Sequence, residues 1–509
     1  MFNIKGNALV AILGLLLSFL IIGCSSSLKL PKRTEALPQN IDTSTDASVA
    51  KLRANSGFLV EGYCEKEADE KRAEILNTPN TEELYEIKGT KYYISQSGDD
   101  RNDGLTPETP IKTMVRLMEL YIVEGDAVLF NRGDTFRLGH SLSTHNGVTY
   151  GAYGKGSKPK IYGSLENYAK SDKWEAVNDN IWKIPLDYDE ACGLVINHSE
   201  IIGVKKTGSI KKLKNNGDYL HDTKAGIFYL YCDKGNPKDS YYDIEIMPSV
   251  NIISAEVGNR MVTIDNLCIK YSAGFGIHSV GASNFTVTNC EFGFLGGRYT
   301  SNNRLRYGNA VEFWNGGIDI KVENNWFYQT YDSALTWQGD NDNEYLNISF
   351  SGNLFEYNNA DIEFFSKETA PLENFTIKDN LMRFTSMGWG TRKNDGGIRG
   401  IEGCIRGVTG SHPKNPSMTV KNVQFINNTI DCPARQIINW SWEPEHKSEI
   451  HTKGTRLYIK DCYRTKRNCL QGLQTKKGQS YYKSSSTDLE SLKTNFEIFE
   501  TGAQIYWYK

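Results

Sequence analysis

A six-residue pattern returns six times between residues 262 and 430, and it constrains the fold more than any other feature of the chain. Each copy begins and ends with an apolar residue and carries Asn, Asp or Gly at its third position. The copies begin at Ile264, Val287, Val322, Phe350, Ile377 and Phe425. Successive starts are separated by 23, 35, 28, 27 and 48 residues, so two of the gaps hold insertions. A recurring unit of this length is typical of a solenoid, in which each coil packs on its neighbours.

The residue types within the repeat indicate strands rather than helices. Short segments with apolar residues at alternate positions, broken by Asn and Gly, suit coils that each add short parallel strands to stacked sheets. No apolar pattern with a 3.6-residue period accompanies them. The repeat therefore predicts a right-handed parallel β-helix, in which in-register Asn side chains at one corner form a ladder along the stack.

Composition narrows the functional classes. The formal net charge is only -3 over 509 residues, which argues against nucleic acid as the main partner. Aromatic residues make up 11% of the chain, including 28 Tyr and 9 Trp. Aromatic faces bind sugars, but strands also favour Tyr, so this enrichment fits a glycan-binding surface and an ordinary β-rich fold equally well.

The first 50 residues have the composition of an export signal and a tether. Residues 1–23 carry Lys5 and then an apolar run from Ala8 to Ile22, which predicts a secretory signal peptide. The run ends at Gly23-Cys24 and resembles the bacterial lipoprotein box, which implies lipid attachment at Cys24 and contact with a membrane. An uncleaved anchor is the alternative. Residues 24–50 predict a flexible tether, and the lack of an acidic stretch after Cys24 favours a periplasm-facing lipoprotein over a cell-surface one.

A motif between Tyr93 and Phe136, well before the six repeats, carries a family resemblance. Its residues are Tyr93, Ser95, Gly98, Asp100, Asn102, Asp103, Gly104, Leu105, Pro107 and Pro110, followed by Gly125, Asp126, Phe130, Arg132, Gly133, Asp134 and Phe136. This series resembles the opening motif of exported bacterial β-helix proteins of the pectin-lyase-like superfamily. Its Asp-rich turn is a candidate calcium site, but it lacks the acidic residue at loop position 12, so a hydrogen-bonded turn without a cofactor is favoured. The Cys spacing predicts no metal site.

The sequence patterns divide residues 51–509 into four predicted segments. Residues 51–164 predict an N-terminal cap and the first coils, with a charged helix over residues 64–77 and an amphipathic helix over residues 111–121. The repeat is absent from residues 165–250, which resemble the small β-domain inserted in some β-helix glycosidases. Residues 251–432 predict the main coils, and residues 433–509 the C-terminal coils and cap.

Three aligned strand segments, Ala310 to Trp314, Ala334 to Gln338 and Asp361 to Phe365, predict the functional face. Because side chains alternate along a strand, Glu312, Thr336 and Glu363 should form one outward column, which His278 extends by one coil. Ala310, Ala334 and Asp361 should form a second outward column, and Trp314, Gln338 and Phe365 a third.

Glu312, Asp332 and Glu363 are the predicted catalytic residues. Coils lie about 4.8 Å apart, so Glu312 and Glu363 should be roughly 10 Å apart at the backbone, which suits the two carboxylates of an inverting glycoside hydrolase. Pairing Asp332 with either Glu would shorten the distance toward the roughly 5 to 5.5 Å of retaining enzymes. The sequence does not choose between these pairs.

Loops around this face supply the predicted substrate-binding residues. Two insertions, residues 293–308 and 388–421, are rich in Arg and Lys, which would suit uronate or sulfate groups or would serve solubility alone. The predicted binding residues are His278, Arg298, Trp314, Tyr331, Gln338, Trp389 and Arg392.

The segments Gly308 to Trp314, Tyr331 to Gly339 and Gly388 to Gly390 resemble segments of carbohydrate-active β-helix proteins. This resemblance, with the acidic column, favours an enzyme, and a glycoside hydrolase acting on a polysaccharide or oligosaccharide. A polysaccharide lyase or uronate epimerase acting on an acidic glycan is the first alternative, with Arg392, His278 or Tyr331 in the reaction. A non-catalytic glycan-binding surface protein is the second.

Overall fold

The computed structural model describes residues 62–508 apart from 256, 301–304, 340–343, 367–371, 392–402, 410–419, 435, 441–448, 461–469, 475–479, 485–488 and 498. The predicted signal segment, Cys24 and the tether therefore lie outside the described residues, as does Arg392. Within the described part, no helix combines the length and the apolar character needed to span a membrane.

The stacked strands form three parallel sheets, and from Ala127 to Gln474 the chain visits them in the order sheet 1, sheet 2, sheet 3. Sheet 1 contains the strands Lys91–Ile94, Ala127–Asn131, Thr149–Tyr153, Arg260–Asp265, the second half of Ile277–Thr288, the second half of Val311–Glu323, Tyr345–Ser351, Leu372–Lys378, Val420–Ile426 and Ile450–Lys453. Sheet 2 contains Thr135–Arg137, Lys160–Tyr162, Cys268–Ser272, Glu291–Leu295, Trp326–Thr330, Leu354–Glu356, Leu381–Arg383, Thr429–Asp431, Arg456–Lys460 and Gln504–Tyr508.

Sheet 3 contains Leu142–Thr144, Ile253–Ala255, the first halves of Ile277–Thr288 and Val311–Glu323, Ser333–Gly339, Ala360–Ser366, Gly403–Thr409, Gln436–Trp440 and Leu470–Gln474, with Ser480–Ser484 added antiparallel. Stacked coils of three parallel strands are the parallel β-helix that the repeat predicts.

Apolar residues point into the space between the sheets and stack in columns from coil to coil. The rings of Phe292, Phe327 and Phe355 stack with centroids 4.8 and 5.1 Å apart. These residues end three of the sequence repeats and are fully buried, so the last position of the repeat builds the core.

The corner between sheets 1 and 2 explains the polar part of the repeat. At the third position, Asn266, Asn289, Asn324, Gly352, Asp379 and Asn427 all have a positive φ, which Gly, Asn and Asp tolerate best. At the fourth position, Asn325, Asn353, Asn380 and Asn428 form the predicted ladder, with amide-to-amide bonds of 3.1, 3.1 and 3.0 Å. Each of these side chains is buried, and its partners are the equivalent Asn and a backbone carbonyl.

The N-terminal helix lies across the outer face of sheet 2. The charged segment predicted over residues 64–77 is an α-helix, Glu65–Leu76. Before it, the backbone N–H groups of Tyr63 and Cys64 donate to the Asp431 carboxylate at 2.8 and 3.0 Å. Buried Arg383 then bonds Glu65, Glu356 and Asp431 at 2.5, 2.8 and 3.1 Å. The helix is thus fastened to coils nearly 300 residues or more away in the sequence.

Shorter helices close the ends of the core. The amphipathic helix predicted over residues 111–121 is shorter, Met114–Met118, and its Leu117 packs into the core of the stack. Thr81–Leu84 follows the N-terminal helix, and Leu489–Phe496 buries Leu492 and Phe496 at the C-terminal end.

Residues 165–250 form separate sheets between a strand of sheet 2 and a strand of sheet 3. One sheet contains Ala191–Ile196, Ile201–Ile202 and Ile244–Pro248, and the other contains Glu175–Ala176, Ile181–Pro185, Val204–Lys205, Asp218–Asp222 and Ile227–Tyr231. The helical turns of this insertion are Tyr168–Lys170, Asn197–Ser199, Ile210–Lys212 and Pro237–Ser240. It has its own apolar core, which includes Trp174, Tyr219 and Phe228.

Candidate functional site

Three of the connections between a strand of sheet 2 and the next strand of sheet 3 are 15 residues long or more. They are residues 163–252, residues 296–310 and residues 384–402. The corner between sheets 1 and 2 holds only short turns, such as Gly352 and Asn353. The chain therefore elaborates the edge of sheet 3, and loops that project from a rigid scaffold commonly carry function.

The outer face of sheet 3 carries the predicted polar column. The pairing register aligns His278 with Glu312, Glu312 with Thr336, and Thr336 with Glu363. The next strand adds Arg406 opposite Glu363. The predicted column is confirmed, and it continues one coil further as a cation.

Glu363 is held by three donors. Arg406 Nη1 lies 2.7 Å from its Oε1, and the Ser333 hydroxyl donates to its Oε2 at 2.7 Å. The Gln338 amide also donates to Oε2, at 3.3 Å, and to the hydroxyl oxygen of Thr336, at 3.1 Å. Glu363 is almost fully buried, so these contacts fix the carboxylate in one orientation with both oxygens accepting.

Glu312 has a different environment on the other side of Thr336. The Asn309 amide donates to its Oε2 at 2.5 Å, and His278 Nε2 lies 3.4 Å from its Oε1. Asn309 is itself oriented, because its Oδ1 accepts the backbone N–H of Ser333 at 3.0 Å. His278 is the more exposed member of this pair.

Asp332 is buried at the turn that leads into Ser333–Gly339. Its neighbour in the sequence, Ser333, supplies the hydroxyl that bonds Glu363. Asp332 thus lies at the edge of the column, and its role as the second carboxylate stays a prediction.

The second predicted outward column is wrong. Ala310 and Ala334 belong to the apolar core of the stack, and Asp361 is fully buried beside them. Ala334 and Asp361 are the second residues of the strands Ser333–Gly339 and Ala360–Ser366. So close to the corner between sheets 2 and 3, side chains on both faces of the strand are buried, and alternation no longer separates buried from exposed positions. Thr385 donates a short hydrogen bond to the Asp361 carboxyl, and Asn358 donates another at 3.2 Å. Burial raises the pKa of Asp361 to about 7.

The third predicted column is confirmed in register. Trp314 pairs with Gln338, and Gln338 with Phe365. All three are partly exposed, so an indole and a phenyl ring flank the amide that contacts Glu363. Such a row gives flat apolar surface next to the carboxylates.

Arg298 lies on the opposite flank of the column, on a short hairpin of Arg298–Tyr299 and Arg306–Tyr307. Its guanidinium lies over the Phe275 ring at 4.4 Å and the Tyr307 ring at 4.6 Å. The Phe275 ring in turn stacks on His278, with centroids 5.0 Å apart. Arg298, Phe275 and His278 therefore form one contiguous row that ends at Glu312.

Tyr331 and Trp389, both predicted to bind substrate, are buried and present no face to a sugar. Their rings pack edge to face at 4.8 Å and enclose the guanidinium of Arg306, which lies 4.4 Å from the Tyr331 ring. Arg306 also donates to the carbonyls of Gly297, at 2.7 Å, and of Cys192 in the inserted domain. The prediction of sugar stacking is wrong for these two residues, because they instead build the anchor of the Arg298 hairpin.

Three residues of the site were not predicted as part of it. Asn309 and Ser333 each come directly before a residue whose side chain points inward, and they orient the two glutamates. Arg406 was grouped with the residues of an insertion, but it belongs to the strand Gly403–Thr409. The alternation Ile405, Arg406, Gly407 was the signal that places it in the column.

Other polar features of the described residues do not form part of this site. The carboxylate of Asp100 in the Asp-rich turn accepts the backbone N–H groups of Lys112 and Thr113 at 2.9 and 2.8 Å, so the turn is hydrogen-bonded internally. A cleft of about 1140 Å³ lies beneath the N-terminal helix, at the corner between sheets 1 and 2. It is lined by none of the predicted site residues, and its charges include the ion pair of Arg456 with Glu67.

Comparison with known proteins gives a likeness of fold only. No protein-family model matches the chain, and no curated protein matches it. Among solved structures, the complex of XylC with xylose is 13% identical, with a TM-score of 0.42 over 82% of this chain and 83% of that one. A glycoside hydrolase is 10% identical, with a TM-score of 0.38 over 82% and 96%. A family 28 exopolygalacturonase from Yersinia enterocolitica is 12% identical, with a TM-score of 0.34 over 77% and 67%. At these values the likeness bears on neither activity nor substrate.

Proposed function

We propose that this chain is an exported carbohydrate-active enzyme, and specifically a glycoside hydrolase that acts on a bacterial or plant polysaccharide through Glu312 and Glu363. The observation that carries the proposal is the outer column of sheet 3, in which two buried carboxylates flank one small residue, Thr336. Buried carboxylates on an outer face, each oriented by its own set of donors, are a costly arrangement for a purely structural surface.

The spacing of the two carboxylates favours inversion. Glu312 and Glu363 are two coils apart, which is about 10 Å at the backbone, given strands roughly 4.8 Å apart. An inverting hydrolase needs roughly 6.5 to 9.5 Å between its carboxyl groups to leave room for a water on the far side of the sugar, and a backbone spacing of about 10 Å is compatible with that separation. Thr336 between them is buried, and the Gln338 amide donates both to its hydroxyl oxygen and to Glu363.

The hydrogen bonds of Glu363 and Glu312 differ, and the difference assigns one carboxylate as the base and the other as the acid. Glu363 accepts from Arg406, Ser333 and Gln338, so it is arranged as an acceptor and suits the base that activates water. Glu312 lies 3.4 Å from the partly exposed His278 and has fewer donors than Glu363, so it is assigned as the acid that protonates the leaving oxygen. Trp314 and Gln338 are partly exposed beside the column, and they would offer a bound sugar a ring face and an amide.

His278 also supports a second candidate, a polysaccharide lyase or uronate epimerase. A partly exposed imidazole beside a guanidinium-bearing hairpin offers a base and a cation, which are the two groups that proton abstraction next to a uronate needs. A non-catalytic glycan-binding protein would use Trp314 and Arg298 without turnover.

The test is to incubate the full-length protein with acidic and neutral glycans while recording new reducing ends and ultraviolet absorbance together. We expect reducing ends without absorbance, and a loss of about 100- to 10,000-fold in rate for Glu312→Gln and for Glu363→Gln. Glu373→Gln is the matched control, since Glu373 is a partly exposed carboxylate on sheet 1 that is paired with Lys421.

New absorbance would favour the lyase and would be expected to depend on His278. Binding without any product, unchanged in Glu312→Gln, would favour the non-catalytic protein. Full activity in both glutamine variants would overturn the assignment of the column.

We also propose that the protein is a lipoprotein attached to a membrane through Cys24 and facing the periplasm. The support is the segment before Cys24, with its apolar run and small residue, and the absence of acidic residues directly after it. Labelling with a fatty-acid analogue should mark the wild-type protein and leave Cys24→Ser unlabelled. Protease added to intact cells should not degrade the protein, whereas degradation would indicate the cell surface.

A further inference from the structure

Arg298 is a cation without a carboxylate partner among the described residues. Its Nη1 donates to the Asn251 side-chain oxygen at 3.3 Å, whereas its buried Nε has no hydrogen-bond partner. The neighbouring cations differ, because Arg406 is paired with Glu363, and buried Arg306 is bonded to two carbonyls. A guanidinium that is partly desolvated and not neutralised is a poor contributor to stability, so another use for its charge is expected.

The hairpin that carries Arg298 is held in place by the contacts of Arg306. Arg306, on its second strand, is enclosed by Tyr331 and Trp389 and bonds the inserted domain through the Cys192 carbonyl. Arg298 itself is clamped between the rings of Phe275 and Tyr307. Its position is thus set before any ligand binds, which reduces the entropy lost on binding.

Arg298 is also close to the proposed chemistry. Its guanidinium contacts Phe275, whose ring stacks on His278, and His278 lies 3.4 Å from Glu312. A sugar that reaches Arg298 would therefore occupy a position on the His278 side of the bond cleaved between Glu312 and Glu363.

We propose that Arg298 forms an anion subsite, which binds a uronate carboxylate or a sulfate ester of the glycan next to the His278–Glu312 end of the column. The inference rests on the proposed function for the position of the glycan, and it names the substrate class as an acidic polysaccharide. A guanidinium suits both groups, because its planar donors pair with two oxygens of one anion.

The experiment measures binding in the full-length Glu312→Gln variant, so that no probe is consumed. Calorimetric titrations compare oligogalacturonate with its methyl ester, and a sulfated galactose oligosaccharide with its desulfated form. We expect at least one anionic probe to bind about 10-fold or more tightly than its neutral counterpart, as is typical for hydrogen bonds to a charged group. Which pair shows the preference distinguishes carboxylate from sulfate.

Adding Arg298→Gln should reduce that preference to less than about twofold while leaving the affinity for the neutral probe unchanged. Adding Arg101→Gln should leave the preference intact, because Arg101 is an exposed arginine at the N-terminal cap, paired with Asp99. Equal binding of anionic and neutral probes, binding of no anionic probe, or a preference that survives Arg298→Gln would each refute the subsite.

This outcome is separable from the test of catalysis. A charge preference that depends on Arg298 in a protein that cleaves no glycan would sustain the subsite and refute the hydrolase. Hydrolysis confined to neutral glycans, with KM unchanged in Arg298→Gln, would refute the subsite and sustain the hydrolase.

Discussion

The buried carboxyl of Asp361 should make the stability of this protein fall as the pH rises through the acid range. Its pKa is raised to about 7, chiefly by burial, while the hydrogen bonds donated by Thr385 and Asn358 act in the opposite direction. In the unfolded chain the same group titrates near its ordinary value of about 3.9. Between these values the folded state holds a proton that the unfolded state has lost, so the contribution is fully present below about pH 4 and is lost as the pH approaches 7.

The size of the effect follows from the difference in pKa of about 3. At about 1.4 kcal/mol for each tenfold change, folding loses on the order of 4 kcal/mol between pH 4 and pH 7 through this group. Asp361→Asn keeps the shape of the protonated acid and removes the titration. The variant should match the wild type within about 1 kcal/mol at pH 4, and should exceed it by several kcal/mol at pH 8.

Urea unfolding followed by Trp fluorescence at a series of pH values gives the two free-energy curves. The informative quantity is the difference between variant and wild type, because other buried carboxyls, such as Glu245 with its raised pKa of about 7, contribute equally to both. Asp379→Asn, at an exposed corner, should give a difference that does not change with pH. A constant difference for Asp361→Asn, or one that shrinks as pH rises, would refute the reasoning.

Three further substitutions test the packing and the sugar-binding face. Arg383→Met leaves three buried carboxylates without their shared partner, so it should lower the free energy of unfolding in urea by about 3 to 5 kcal/mol and expose residues 62–76 to protease. Arg456→Met, at a partly exposed ion pair, should lower it by about 1 kcal/mol or less. Equal costs would contradict the clamp. Asn353→Ala removes a buried amide with four hydrogen bonds and should cost about 2 to 3 kcal/mol. Asn347→Gly, in the exposed row, keeps the positive φ of this position without strain and should cost less than about 1 kcal/mol; the reverse order would contradict the ladder. Trp314→Ala should weaken glycan binding about 5- to 100-fold with unfolding unchanged, and unaltered binding would exclude the stacking role.

The fold could be predicted from the sequence because each repeat carries two independent signals of a β-helix coil, one apolar and one polar. The apolar end positions, such as Phe327 and Phe355, build the interior stack, and the polar third and fourth positions satisfy the backbone at the corner between sheets 1 and 2. Both requirements recur in every coil, so each copy reinforces the assignment of the others. The same periodicity fixed the register of Glu312, Thr336 and Glu363, because alternation along aligned strands leaves one outward set.

The corners could not be predicted in the same way. Asp361 is the second residue of the strand Ala360–Ser366, next to the corner, and it is fully buried although strict alternation predicts it to be exposed. Arg406 was missed for a related reason, since a gap of 48 residues between repeats hides the strand Gly403–Thr409 between two longer connections. Long-range contacts such as that of Asp431 with Tyr63 have no local signature at all.

Tyr331 and Trp389 lie near the predicted functional face, but their rings contact Arg306 rather than the space where a sugar would bind. Both lie where the chain leaves sheet 2, beside the hairpin and the inserted domain, and a sugar-binding surface there would need their rings exposed. Instead, the rings surround Arg306, which ties the hairpin to the inserted domain through the Cys192 carbonyl. The three connections that leave this corner are thus fastened to one another through one buried cation. These contacts hold the hairpin on which Arg298 lies against Phe275, whose ring stacks on His278. In the proposed anion subsite, Tyr331 and Trp389 would therefore act on substrate recognition through the position of a guanidinium rather than by contact with the sugar.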